Sequence, residues 1–404
     1  MNWDVNKYTI VMMQSFSFDE RGTRRLIDDP GSSDSTFPYD FVNDNNISVS
    51  TSSDHPKPAR RLTLVDSIAI LVGIIIGSGI FSSPGLALDR AGSPGLVLIS
   101  WSLSGILVTL AAQCYLELGA MMPSAGGDFD YLKRAYGEQA AFSFAWYNFF
   151  VGKTGSQAII ATIFGRYFQS VIKGDTSSLL SDDTSADEDT ITTKLLGVGL
   201  ITIITIINCA GIKESAVVSI VLTSIKVLLV IMVFIFAIVY ASHSNSNSRT
   251  ISYNLSASSS FNGSNDFFSF ATSMIACLWC FDGFADGNFL QEEMINPIRD
   301  LPWMICFGLG LVTCCYLLIN IGYLSVLDKS TIIDSSAIAV QFGTTVSDSL
   351  FSSSSALPII LALGVSLSTM GSINGSIMTG GAPYAVCIHV SPCFMCICFI
   401  HFYK

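Results

Sequence analysis

Long apolar runs separated by short polar segments dominate the chain, and their lengths predict helices that cross a bilayer. The runs fall near residues 64–88, 96–122, 139–172, 191–210, 215–241, 267–293, 301–327 and 356–384. Each reaches the roughly 20 residues that a helix rising 1.5 Å per residue needs to cross about 30 Å of hydrocarbon. Eight spans are therefore expected.

Two of these runs interrupt themselves. In the first, LTLVDSIAILVGIIIGSGIFSSPGLAL, the triplet Gly77-Ser78-Gly79 comes after roughly 18 Å of helix counted from Val65, about halfway through the bilayer. In the sixth, FFSFATSMIACLWCFDGFADGNFLQEEMINP, residues Phe281 to Gly287 bring two glycines and two carboxylates to similar depth. Unwound backbone cannot face lipid, so its N–H and C=O groups must be buried in protein or line a polar cavity. Gly73 and Gly77 also make a small-xxx-small pair, so close helix packing is the competing reading of the first break. An Asp at the centre of a span costs about 2.5–3.5 kcal/mol on insertion scales. Asp282 and Asp286 are therefore expected to face a cavity, pair with a cation, stay protonated or sit in an aqueous vestibule. Two broken helices five spans apart match an inverted repeat whose half-helix ends hold a substrate at the midplane.

Composition fixes the class. Half the residues are apolar and only 13 % are charged, which makes an all-α polytopic membrane protein with membrane lipid as its surroundings. The net charge of -11 gathers in loops, as in Asp182, Asp183, Asp187, Glu188 and Asp189, and no basic patch invites nucleic acid. Most of the eleven cysteines lie inside apolar runs, where thiols act as small hydrophobes. Cys393-x-x-Cys396-x-Cys398 has no polar partner, so no metal and no cofactor is expected. Four histidines, without a Ser/His/Asp cluster or a phosphate-binding loop, leave an enzyme without parts.

Residues 1–61 are polar and rich in Ser, Asp and Asn, with no apolar signal segment, and are expected to form a disordered cytosolic tail. Residues 62–384 form the transmembrane domain, and 385–404 an apolar, Cys-rich, divergent tail. With the N-terminus inside, Lys57, Arg60, Arg61, Lys133, Arg134, Lys213 and Arg299 flank the cytosolic side. Arg90, Lys173, Lys194, Arg249 and Lys329 fall outside. Asn254-Leu-Ser256 and Asn262-Gly-Ser264 are then external glycosylation acceptors, while Asn46 and Asn374 should stay bare. Lys226, within TSIKVLLVIMVF, lies too deep for comfortable snorkelling.

Several motifs, in order, resemble the L-type amino acid transporters of the amino acid, polyamine and organocation superfamily. They are Val72-Gly73 to Phe81 with Ser83-Pro84, Ala91 to Gly95, Cys114-Tyr-Leu-Glu117-Leu-Gly119, and Pro123 to Asp128. Glu292-Glu293-Met-Ile-Asn296-Pro297, Arg299-Asp-Leu301-Pro302 and Gly371 to Ser376 continue the series. The resemblance covers roughly residues 62–380. It implies an inverted five-helix repeat with discontinuous first and sixth helices, here with an incomplete second repeat. It also implies that amides of Gly77, Ser78 and Gly79 hold a substrate carboxylate, and that Ile75, Ile76, Phe281, Asp282 and Gly283 surround the amino end. Trp279 becomes an occluding gate. Lys226 stands where sodium-coupled relatives bind sodium, which implies sodium independence and leaves exchange and proton coupling both open. Lys153, with Gln157, and Asp286 are possible pore-lining groups.

The expected function is alternating-access transport of neutral amino acids, with cationic amino acids or polyamines as the alternative substrates. Family light chains commonly carry a cysteine between the third and fourth spans for a heavy-chain disulfide; Lys173 to Thr190 has none, so a covalent heavy chain is not expected. Oligomeric state stays open. Members usually have twelve spans, and here the match fades after Gly381, which suggests a truncated form or a gene-model error. A non-transporting regulatory partner is the alternative from another class. The plasma membrane is the expected location, with a vacuolar or other endomembrane as the alternative.

Overall fold

The computed structural model describes residues 62–122, 127–180, 187–210, 212–243, 254–256, 260–262, 266–291, 293–351 and 355–390. The expectations for residues 1–61, for Asp182, Asp183 and Arg249, and for Cys393, Cys396 and Cys398 lie outside them. The first apolar run enters as α1 (Leu64–Ile75), where Thr63 and Asp66 cap each other's backbone amides. It stops at Ile76–Ser78 and resumes as α2 (Gly79–Ser82) and α3 (Pro84–Ala91). Glycine is a poor helix former, and here close approach requires it as well. A Cβ on Gly77 would stand 3.2 Å from Ser372 Oγ, and one on Gly79 would stand 3.0 Å from Cys280 Sγ.

Gly92, in the left-handed region, closes α3 before Ser93 caps α4 (Pro94–Met121), which has Pro94 in its first turn. The short α5 (Asp128–Tyr136) leads into α6 (Glu138–Tyr147), a π segment (Asn148–Lys153) and α7 (Thr154–Lys173). After α8 (Ser177–Leu180) come α9 (Asp187–Ala210) and α10 (Ile212–His243). The sixth run begins as α11 (Phe267–Trp279), N-capped by Asp266, and turns through Cys280–Gly283 into a 3-10 segment (Phe284–Leu290). Gly283 has a φ of 98°, a conformation that strains any L side chain. The chain continues as α12 (Pro297–Val326), α13 (Lys329–Asp334), α14 (Ile338–Leu350) and α15 (Ala356–Val390).

Seven helices among the described residues are long and apolar enough to cross a membrane. The expected third span is not one of them, although Glu138–Lys173 is continuous helix through its π turn. Lys153, Thr154, Ser156, Gln157 and Arg166 dilute its apolar run. Ile106, Leu110, Ile206, Leu228, Ile275 and Phe307 are exposed, as side chains with lipid for a neighbour are. The chain is an integral, multi-pass membrane protein.

The packing brings the two interruptions together. α12 packs against α1, α4 and α10, and α15 lies on α1, α7 and α10. A short backbone bridge ties the entry of α1 to the exit of the sixth run. Leu62 N–H donates to Glu293 O at 2.9 Å, and Ile295 N–H donates to Leu62 O at 3.1 Å. Asn288 Nδ2 donates to Tyr115 O and Gln291 Nε2 to Gly119 O, at 3.0 and 2.9 Å, which pins the 3-10 segment to α4.

Candidate functional site

The two breaks border a single cavity of about 360 Å3. Ile75, Gly77, Ser78 and Gly79 line it from the first break, and Trp279, Cys280, Asp282 and Gly283 from the second. Phe144, Tyr147 and Lys153 contribute from α6 and the π segment, and Ser372 and Ser376 from α15. None of the amides of Gly77, Ser78 and Gly79 donates to a main-chain carbonyl among the described residues. Three N–H donors at the start of a helical segment thus stand beside the cavity, as the unpaired end of a helix provides.

The carbonyl end of α1 is arranged differently. Lys226, fully buried, donates from Nζ to Gly73 O at 2.5 Å, Ile76 O at 2.6 Å and Ser372 Oγ at 3.0 Å. Ser372 Oγ lies 3.1 and 3.0 Å from the same two carbonyls. Lys226 therefore does not snorkel; its ammonium occupies a cage of backbone and hydroxyl oxygens at the end of α1. Tyr316 OH lies 3.0 Å from Ile75 O and 2.7 Å from Cys280 O, so one buried phenol links the ends of both broken helices. With a single proton it serves one carbonyl at a time.

Two residues expected at the site lie off the cavity wall. Ile76 is buried, does not line the cavity, and its carbonyl is engaged by Lys226. Phe281 is buried as well, its ring centroid 4.9 Å from that of Tyr316 and 6.4 Å from that of Trp101, so it packs behind the cavity wall. Ile75 does line the cavity, although one of its carbonyl lone pairs faces Tyr316. Trp279 lines the cavity and is 49 % exposed, so its indole is not locked into the core.

The two carboxylates of the sixth run have different surroundings. Asp286 is 5 % exposed; its Oδ2 accepts from Lys153 Nζ at 2.6 Å and from Thr379 Oγ1 at 3.1 Å. Of the vestibule and the cation pairing, the structure has the pairing. Asp282 is exposed and lines the cavity. Gln157 Nε2 reaches Ser376 Oγ at 3.4 Å. Tyr115 and Asp128, which lie in motifs of the resemblance but were given no role there, also line the cavity. Burial raises the Asp128 carboxyl above its ordinary value, with the Tyr115 hydroxyl opposing the shift through a hydrogen bond.

The two sequons also separate. Asn254 is buried, and its Nδ2 donates to Leu324 O at 2.9 Å and Leu327 O at 3.0 Å. A glycan bonded to that nitrogen could not share this arrangement. Asn262 is exposed.

The amino acid permease family model matches residues 62–389. The chain belongs to the amino acid permease family. Among curated relatives it is 33 % identical over 336 residues to the b(0,+)-type amino acid transporter 1 of Oryctolagus cuniculus, covering 82 % of this chain and 64 % of the relative. The transporter of the same designation in Homo sapiens is 32 % identical over 336 residues, with the same coverage. The large neutral amino acids transporter small subunit 2 of Homo sapiens is 29 % identical over 322 residues, covering 79 % of this chain and 56 % of the relative. The chain thus spans less than two thirds of the length of these relatives.

Proposed function

We propose that the chain binds an amino acid between its two broken helices and carries it across the membrane by alternating access, without covalent chemistry. The observation that carries this reading is the cavity of about 360 Å3, lined by both breaks, beside three amides without main-chain acceptors among the described residues. Its volume falls in the range of small-molecule sites. N–H donors at a helix start suit a carboxylate; carbonyls and Asp282 at the second break suit an ammonium. The reading treats the two broken helices as equivalent members of an inverted repeat and Trp279 as the outer lid. Names among the relatives, which include a large neutral amino acids transporter, agree with neutral substrates.

A second substrate class has its own observation. Asp282 is an exposed carboxylate on the cavity wall, whereas Asp286 is paired with Lys153. A cationic side chain in the cavity would find Asp282 as its counter-charge. The proposed location is the plasma membrane. The loop between α7 and α9 contains no cysteine, and the proposal includes no covalent heavy chain there. Uptake of radiolabelled leucine into proteoliposomes tests the function: the parent chain should accumulate it and Gly79→Trp should not. Equal uptake by both would remove the site assignment.

A further inference from the structure

Acidic groups outnumber basic ones on the cavity wall. Among the described residues it carries three carboxylates, Asp128, Asp282 and Asp286, against the single ammonium of Lys153, with neither arginine nor histidine. Lys153 pairs with Asp286 at 2.6 Å and also attracts Asp128 and Asp282. One cation is thus shared by three anions. Lys226 does not line the cavity; its ammonium is held by Gly73 O, Ile76 O and Ser372 Oγ. Fully ionised, the wall therefore has an excess of negative charge. A zwitterionic amino acid brings one charge of each sign and leaves that excess as it was. Excluding water around the bound amino acid then raises its cost.

The three carboxylates differ in their means of compensation. Asp286 accepts from Lys153 Nζ and Thr379 Oγ1, and Asp282 is exposed at the second break. Asp128 opens α5, between the second and third spans, where a Cβ on the preceding Gly127 would collide with the Phe289 ring. That close approach sets Asp128 against the 3-10 segment. Tyr115 faces it from α4, Tyr131 from its own helix, Lys153 from the π segment and Asp286 from the 3-10 segment. The helix start, the Tyr115 hydroxyl and Lys153 favour its ionised form. Burial, the larger influence, and the Asp286 charge favour the protonated form, so its carboxyl titrates above its ordinary value. We propose that Asp128 binds a coupling proton, taken from water as a zwitterionic amino acid is enclosed and returned to water when the cavity opens to the other side. An O–H bond forms on the carboxylate and breaks again on release. The inference rests on the amino-acid-site reading of the cavity and makes its transport proton-coupled.

The test is equilibrium binding of radiolabelled leucine to the purified full chain between about pH 7.5 and about pH 5.5, an interval in which leucine itself does not titrate. The protonated form binds better, so affinity should rise as the pH falls, by at least about fivefold over the interval. Asp128→Asn, a permanently neutral mimic of the protonated carboxyl, should bind at the upper pH as tightly as the parent does at the lower one and lose the pH response. A merely structural role would weaken binding in that variant instead. Asp128→Glu, which keeps a titratable carboxyl, should keep the response with its midpoint moved.

A parental affinity that is flat across the interval would overturn the inference. So would a pH response that persists in Asp128→Asn, or binding by that variant that is weaker than the parent's at both ends. If Asp128→Asn does not fold, Asp128→Glu decides the matter, and a midpoint equal to the parent's would overturn the inference. A parent that binds no leucine at any pH would instead overturn the amino-acid-site reading itself, and the inference with it.

Discussion

Lys226 Nζ lies 2.6 Å from the carbonyl oxygen of Ile76, the residue at which the first helix breaks, although 149 residues separate them in sequence. The same ammonium binds Gly73 O and Ser372 Oγ, so a single buried cation holds the interrupted end of α1 against α10 and α15. Replacing it with Ala would leave buried carbonyls without donors, at about 1–3 kcal/mol each. Lys226→Ala should therefore lower the apparent melting temperature by several degrees in choline chloride, and sodium chloride should restore part of the loss by supplying a cation to the same oxygens. Parental stability in both salts would remove Lys226 from the account.

Tyr316 makes a corresponding link across both breaks, between Ile75 O and Cys280 O. Tyr316→Phe keeps the ring packed against Trp101 and Phe281 and removes only the hydroxyl. The expected cost is about 1–3 kcal/mol for acceptors left without a donor, with leucine binding weakened in step. A stability and an affinity equal to the parent's would show that the phenol does not position the breaks.

Gly283 tests the second break through its backbone. At a φ of 98° a side chain is strained, and a Cβ there would stand 2.6 Å from Ile74 Cγ2. Gly283→Ala should cost about 1–3 kcal/mol and shift the break, which thermal denaturation of the purified protein would register. Gly310→Ala, where nothing lies within 4 Å of the added carbon, should be nearly silent and serves as the control.

The two sequons before α11 should behave oppositely. In a glycosylating host, Asn262→Gln should abolish the mobility shift produced by endoglycosidase, and Asn254→Gln should not change it. Asn254→Ala should instead destabilise the protein, because Leu324 O and Leu327 O lose their shared donor. A mobility shift that depends on Asn254 would contradict the buried amide.

The positions of both breaks could be read from the sequence because glycines and aspartates stand out inside apolar runs, and Lys226 because a cation at that depth needs a partner. The identity of its partners could not. Ser372, Tyr316 and Thr379 are ordinary residues in their helices, and each meets its carbonyl or carboxylate only through packing of segments far apart in sequence. The same limit explains Ile76 and Phe281, which sit at the breaks but turn away from the cavity; chain position locates a break, whereas rotation about the backbone decides which residue faces inward. Asp128 and Tyr115 belong to motifs of the resemblance, but their place on the cavity wall was not legible, since neither lies at a break. In the third span, the polar groups that thin its hydropathy include Lys153, which lines the cavity.

Equilibrium binding of radiolabelled leucine to the purified chain, compared with Gly79→Trp, tests the central claim most directly. Gly79 borders both the cavity and Cys280 of the opposite break, so an indole there occupies the space assigned to the substrate. The account predicts saturable binding by the parent and none by a folded Gly79→Trp protein. Undiminished binding by that variant would contradict it.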